Sequence, residues 1–487
     1  MTVHFPIIRT CLRLPRRTLI VDDRREYRAA EILVAAFHAA AEIERRSQSQ
    51  TVGLLLPTSG AFPICALGAW ILGRTVVPLN YLLKPDELQY VIDDCACDTI
   101  LTVEPMLEHL GRRPRVANLV TLETIDFRAF PDFRWPARPH ADDLACLLYT
   151  SGTSGKPKGV MLSHRNLSSN VRQCLEHVSL EHGDVLLGVL PQFHSFGLTV
   201  LTLLPLFRGL KAVYSARFVP QQIVRLCREH RPTLFVAIPS MYNALLSVKQ
   251  AQPDDFASLR YVVSGGEGLP EDVLDRFRER FGKTICEGYG LTETAPVTNW
   301  CRPHEWRRRS VGRPLPRVEE IIRDPATGQQ LPPGRDGEVL IRGPQRMLGY
   351  YNLPEETAKA IDADGWLRTG DMGRFSEDGH LSITGRIKEM LIVGGENVFP
   401  REIEEVINRH PSVKDSGVVG LADPMRGEVP VAFVELNEGA AFDERAILAL
   451  CREHLAGYKV PRDVRRLDAL PRSGTGKILR RELQKLV

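Results

Sequence analysis

The sequence predicts an α/β protein: a large N-terminal domain of βαβ-type subdomains plus a β-rich piece, then a small α+β C-terminal domain. Three observations point there. Short apolar runs alternate with amphipathic helical patterns through the first half of the 487-residue chain, as parallel sheets covered on both faces require. Near residue 385 the texture changes, and the remaining piece of about 100 residues carries its own strand and helix patterns, enough to close a small core. Composition is ordinary for a globular protein, 43% hydrophobic and 25% charged, which excludes disorder, collagen and coiled coil.

In chain order, 52–56 predicts a strand, 62–72 a helix, 76–79 a strand and 86–93 a helix. The longest apolar run, 61–72, falls well short of the roughly 20 residues of a spanning helix. It predicts a buried core helix, and no integral membrane span is expected. Residues 131–139, bounded by prolines around Trp135, predict a linker between subdomains. Strands are expected at 144–148 and 160–162, followed by an amphipathic helix through Leu167, Val171, Cys174, Leu175 and Val178 with Ser163 as its N-cap. The alternation resumes with strands at 186–190, 212–214 and 233–238, a helix at 221–229 and a strand at 261–263. A hairpin is expected over 370–382, turning at Glu377-Asp378-Gly379. Beyond it, helices at 401–408 and 444–454 and strands at 417–420 and 431–436 build the small unit. The domains expected are 1–387 and 388–487.

Charge and cysteine content narrow the function. Lys+Arg number 63 against Asp+Glu 60, too even a balance for a nucleic-acid partner. The ten cysteines are scattered, with no C-x-x-C pair, which excludes a zinc or redox motif and a disulfide scaffold. A reducing, cytoplasmic location is expected.

The strongest local signal is Tyr149-Thr-Ser-Gly-Thr-Ser-Gly-Lys-Pro-Lys-Gly159. Thr150, Ser151, Gly152, Thr153, Ser154, Gly155 and Lys158 combine hydroxyl donors, bendable backbone and positive charge, chemistry suited to a polyphosphate. It is not a Walker A loop, because Pro157 stands five residues after Gly152. Taken alone it also reads as a flexible Ser/Gly-rich surface hairpin.

This loop resembles the signature loop of the adenylate-forming (AMP-binding) superfamily, which includes acyl-CoA synthetases, adenylation domains and firefly luciferase. Further motifs follow in that family's order. In Glu287-Gly-Tyr-Gly-Leu-Thr-Glu-Thr294, Tyr289 is able to stack on adenine beside Gly290. Thr292 is able to donate to a phosphate, and Glu293 to ligate Mg²⁺, which needs only one or two carboxylates besides phosphate and water. Asp371, after the Thr-Gly turn of Trp366-Leu-Arg-Thr-Gly-Asp371, suits the ribose hydroxyls, and Arg386 is expected at the same ribose or the α-phosphate. The Pro471-Arg-Ser-Gly-Thr-Gly-Lys477 segment places a lysine on a glycine-rich loop, a compact cation for the developing phosphate charge.

Other roles are implied by the resemblance alone. It puts the adenine at Gly266 and Glu267 of Ser264-Gly-Gly-Glu-Gly-Leu-Pro270, the hinge of a mobile C-terminal domain at Lys388, and the thiol's approach along Gly394 and Gly395. It also sets His194 of Pro191-Gln-Phe-His-Ser-Phe-Gly197 beside the acyl pocket; by itself this histidine reads as a core residue among aromatics. The activity implied is activation of a carboxylic acid by ATP and Mg²⁺, then transfer to coenzyme A or to an acyl carrier protein. Phe193, Phe196, Leu198, 235–238 and Pro296-Val297 suggest an apolar tunnel. The motifs look closest to fatty acyl-CoA synthetases and to the acyl-carrier-protein synthetase domain of bacterial lysophospholipid acylation enzymes. A medium- or long-chain fatty acid is therefore expected, with aromatic acids as the alternative. The run Arg307-Arg-Arg309 reads as solvated surface, or as a contact for a phosphate-bearing carrier.

Overall fold

The structure, a computed structural model, describes residues 2–150, 156–472 and 478–487. Two large sheets dominate. One has seven strands in the order Gly349–Tyr350, Lys158–Ser163, Leu144–Thr150, Thr75–Pro78, Thr51–Leu55, Thr99–Thr102 and Asn118–Thr121. The other has eight, running Val297–Trp300, Cys286–Gly290, Tyr261–Ser264, Leu234–Ala237, Val185–Gly188, Lys211–Tyr214, Thr18–Val21 and Glu26–Arg28. Their central strands pair in parallel and read as unbroken apolar runs, because helices cover both faces. The expected strands and helices of the first half all form, within one to three residues of their predicted ends. Helix Ala61–Ile71 is buried at all but its first position, as its apolar run requires.

The β-rich piece is a four-stranded antiparallel sheet, Glu319–Arg323, Gly337–Arg342, Leu367–Phe375 and Leu381–Arg386. Its last two strands form the expected hairpin, which turns at 376–380. The chain then enters a five-stranded sheet built from Leu391–Val393, Glu396–Val398, Val413–Asp423, Gly427–Leu436 and Val464–Leu467. Two apolar clusters under this sheet draw, among the described residues, only on positions beyond 390. The large and small domains of an α/β fold are thus both present.

One organisational expectation fails. Residues 131–139 do not link subdomains: they join Asn118–Thr121 to Leu144–Thr150, both strands of the seven-stranded sheet. The crossing from sheet edge to sheet centre needs a long connection, and this one packs on helices. Ala137 N donates to Ile71 O at 2.8 Å, and the Phe133 ring lies 5.4 Å from that of Phe37. Among the described residues, no helix is long and apolar enough to cross a membrane.

Candidate active site

The site assembles where strands of the eight-stranded sheet end. Tyr261–Ser264 and Cys286–Gly290 are parallel neighbours, with Ser264 opposite Glu287, so the segments carrying Gly266, Glu267, Tyr289 and Gly290 emerge side by side. Ligands of open α/β sheets bind at such carboxyl ends. The 191–197 turn joins them: a Cβ on Gly265 would lie 2.8 Å from the Phe196 ring, and Ser195 Oγ is 3.2 Å from Thr292 Oγ1. His194 is exposed beside these residues, not a core histidine. His194 N donates to Pro191 O at 3.1 Å, which closes the turn.

Asp371 is the buried centre of the site, only 3% exposed. The Tyr289 hydroxyl donates to its Oδ2 at 2.7 Å, and Arg386 Nε meets Oδ1 at 2.8 Å. Strand register sets the ion pair, since Asp371 and Arg386 face each other across the hairpin. Burial pushes the Asp371 carboxyl up, against the Arg386 guanidinium and the Tyr289 hydroxyl, which hold it down. Burial and the adjoining carboxylate also raise Tyr289 well above the usual tyrosine range. The tyrosine therefore stays a donor.

Thr292 and Glu293 sit in a single 3-10 turn, Thr292–Thr294. The Tyr350 hydroxyl donates to Glu293 Oε1 at 2.8 Å, and burial, followed by the Glu293 charge, raises Tyr350 so that it too remains protonated. Among the described residues no group of three metal-ligating side chains exists. A single carboxylate with outside oxygens is what Mg²⁺ accompanying a triphosphate needs, so the donor set fits that ion and no closed protein cage.

Strands Leu144–Thr150 and Lys158–Ser163 pair antiparallel out to Thr150 opposite Lys158. This register sets both ends of the hydroxyl-rich loop. Lys158 Nζ is 2.6 Å from Glu356 Oε2 and 5.4 Å from the Tyr350 ring centre. Lys158, then Lys359, holds the Glu356 carboxyl down at about 2. Ser163 caps the following helix as expected, its Oγ accepting from Asn166 N at 3.1 Å. Ser151, Gly152, Thr153, Ser154, Gly155 and Lys477 lie outside the described residues.

The flanks of Lys477 are described. Arg472 bridges Ile478, and Leu479 N donates to Pro471 O at 2.8 Å. Arg480 then reaches Glu389 at 2.8 Å and Glu404 at 2.6 Å. The Glu389 charge is felt at both Asp371 and Arg386, so the root of this segment stands within electrostatic reach of the Asp371 pair. Lys388 is exposed in the turn Ile387–Glu389, which joins the four-stranded sheet to the five-stranded one. Gly394 and Gly395 have φ of +60° and +88°. They form the two-residue turn between Leu391–Val393 and Glu396–Val398, a conformation that asks for glycine at both positions.

Sequence reasoning missed three residues here. Tyr350 and Glu356 hold the proposed metal carboxylate and the loop lysine, yet neither stands in a motif that was singled out. Glu320 accepts from Asn299 Nδ2 at 3.1 Å behind Tyr289, whose strand partner is Asn299. Burial raises Glu320 to about 7. The arginine run is also more than solvated surface: Arg308 pairs with Asp275 at 2.6 Å, and Arg309 joins Glu271 at 2.6 Å and Glu405 of the small domain at 3.2 Å.

Comparison with known proteins gives a consistent picture. The AMP-binding enzyme family matches residues 8–351, and the AMP-binding enzyme C-terminal domain matches residues 402–477. A long-chain-fatty-acid–CoA ligase of Bacillus subtilis is 33% identical, covering 97% of this chain and 92% of that protein. A feruloyl-CoA synthase of Amycolatopsis is 34% identical over 85% of this chain and 84% of its own. Among solved structures, ATP-bound MatB from Rhodopseudomonas palustris superposes with a TM-score of 0.90 at 29% identity, covering 100% of this chain and 99% of that one. The apo form of the same protein gives 0.81 over the same coverage.

Proposed function

The chain belongs to the AMP-binding enzyme family, and from that premise we propose that it activates a medium- or long-chain fatty acid and transfers the acyl group to coenzyme A. The coarser activity is an AMP-forming acid–thiol ligase working through an acyl-adenylate with ATP and Mg²⁺. One observation carries the assignment to this site: the buried Asp371 carboxylate, held by Tyr289 and Arg386, is joined through the short 289–293 segment to Glu293, which meets Tyr350 beside Lys158. Nucleoside and polyphosphate functions are thus side by side.

In the first step a carboxylate oxygen bonds to the α-phosphorus, the bond to the β-phosphate oxygen breaks, and pyrophosphate leaves. Asp371 takes the ribose hydroxyls, and Tyr289, fixed by its hydroxyl, offers a ring face to the adenine beside Gly266, Glu267 and Gly290. Lys158, Thr150 and the loop residues through Gly155 hold the leaving phosphates; Thr292 donates to the α-phosphate. Glu293 would hold Mg²⁺, which when bound offsets phosphate charge. Lys477 supplies a further cation where charge develops, the largest kind of contribution in such transfers. In the second step the thiol sulfur bonds to the carbonyl carbon, its proton goes to solvent, and AMP departs with the former carboxylate oxygen.

A rotation of the small domain separates the steps, with the boundary at 387/388 and Lys388 as its hinge. Support comes from the position of that turn between two sheets. The TM-scores agree with it: this chain superposes at 0.90 on ATP-bound MatB and at 0.81 on the apo form. Gly394 and Gly395 would then line the thiol's path.

The acid assignment rests on apolar surface near His194, where Phe193 is buried against Tyr81 with ring centres 4.8 Å apart, and on the Bacillus subtilis relative. Relatives named for aromatic acids keep that class as the competitor. Coenzyme A is favoured over a carrier protein because the arginines suited to a carrier's phosphate are engaged by Asp378, Asp275 and Glu271. A screen of carboxylic acids by pyrophosphate release, with coenzyme A present or absent, tests the assignment. Turnover confined to aromatic acids overturns it.

A further inference from the structure

The most exposed aromatic side chains among the described residues lie in the crossing segment that precedes the phosphate-loop strand. Phe130 is 94% exposed, Trp135 85% and Phe133 62%. Single exposed apolar residues need no explanation, but a cluster does. The segment is braced rather than loose. Phe133 packs on Phe37 and on Trp135, with ring centres 5.4 and 5.3 Å apart. Phe127 meets His38 at 5.7 Å, and prolines at 131, 136 and 139 stiffen the chain between them.

The cluster continues onto the N-terminal helix His4–Arg13. His4 Nε2 lies 3.0 Å from Ala137 O, and its ring is 4.5 Å from that of Phe5. Along the helix Phe5, Arg9, Leu12 and Arg13 are exposed, Leu12 at 67%. Over residues 2–17 and 127–140 the sequence holds seven arginines against one aspartate, although the whole chain carries only +3. Arg134 is paired with Glu44; the other six arginines still leave these two segments positive.

We propose that this face docks the enzyme on the surface of a bilayer containing anionic phospholipid. Aromatic rings set singly between arginines match the two layers of a membrane interface, rings at the acyl boundary and guanidinium groups at the phosphates. Stable attachment without a spanning helix needs two such signals together. The two segments supply both, through a short amphipathic helix and a preformed aromatic loop. The proposal does not depend on the identity of the acid activated.

Co-sedimentation of the full chain with vesicles tests it, using phosphatidylcholine alone and phosphatidylcholine with about one third phosphatidylglycerol. Binding is expected only to the anionic vesicles and falls as salt rises. Phe130→Ser with Trp135→Ser should abolish it, and Arg9→Gln with Arg13→Gln should weaken it about five-fold per arginine. All four positions are exposed, so thermal unfolding and pyrophosphate release with a soluble acid should not change. Absence of binding, or equal binding by the aromatic double variant, overturns the proposal. So does sedimentation velocity showing a dimer that the same variant dissociates, which assigns the face to a second copy.

Discussion

The Tyr350 hydroxyl donates to Glu293 Oε1 at 2.8 Å, across 57 positions of sequence. The same ring lies 5.4 Å from Lys158 Nζ, so one side chain touches both the proposed metal carboxylate and the loop lysine. Tyr350→Phe removes the donor and keeps the ring. Glu293 would then lose its fixed rotamer while Lys158 keeps its neighbour. The expected outcome is a fall in adenylation rate of about ten-fold, the worth of a hydrogen bond to a charged group. It should be accompanied by a higher Mg²⁺ requirement and little change in acid affinity. Pyrophosphate release measured across a Mg²⁺ titration checks this, and an unchanged Mg²⁺ dependence would remove Tyr350 from the role.

Asp371→Asn tests the nucleoside end. The amide cannot balance Arg386, and it faces the Tyr289 hydroxyl with a changed hydrogen-bond pattern. Losing a charge-assisted hydrogen bond to a ribose hydroxyl costs about 1.5–3 kcal/mol, or roughly 10–100-fold in kcat/KM for ATP. Arg386, whose side chain is 47% exposed, is left to water. If Asp371 binds the ribose, the wild type should discriminate against 3′-deoxy-ATP in pyrophosphate exchange and the variant should not. Equal discrimination by both proteins would move the ribose elsewhere.

The contrast between these two pairs shows what the sequence makes legible. Asp371 and Arg386 each stand in a recognisable turn, and a hairpin expected between them nearly implies that they meet. Tyr350 and Glu293 are joined only by the fold: Gly349–Tyr350 is a two-residue edge strand pairing with Met161 and Val160, too short for any periodicity. The same limit hides Lys158–Glu356 and the bridge from Arg309 to Glu271 and Glu405. Local patterns predicted the strands and the Ser163 cap because each is decided by neighbours in sequence. The 131–139 segment misled because proline-rich chain looks alike whether it separates two units or crosses one sheet.

Glu320 gives a prediction about pH. Its folded value near 7 lies above the roughly 4.3 of an unfolded glutamate, so the folded protein holds a proton that the unfolded chain has released. Between those values the native state binds more protons, and stability must fall as pH rises, levelling off above about 7. Oε1 has no hydrogen-bond partner, so ionisation there meets little compensation. Glu320→Gln keeps the carbonyl that accepts from Asn299 and cannot ionise. It should unfold like the wild type at pH 5 and be more stable at pH 8, by up to about 3 kcal/mol. Denaturant midpoints at the two pH values decide it; an equal pH trend in both proteins would show that Glu320 ionises without cost.

The two-step account is separable by half-reaction. Lys477→Ala should reduce acyl-adenylate formation by about 10²–10³, the effect of losing one preorganised charge donor, while thioester formation from supplied acyl-adenylate stays near the wild-type rate. Lys388→Pro should do the reverse. A proline there fixes φ and disfavours the backbone change that a hinge must absorb, so adenylate accumulates and thioester output falls. Arg480, tied to Glu389 and Glu404, makes the second variant informative, because it anchors the chain beside Lys477 to the residue next to the hinge. Quench-flow measurement of adenylate and thioester separates the outcomes. Parallel loss of both rates in the Lys477 variant would mean that one arrangement of the domains serves both steps.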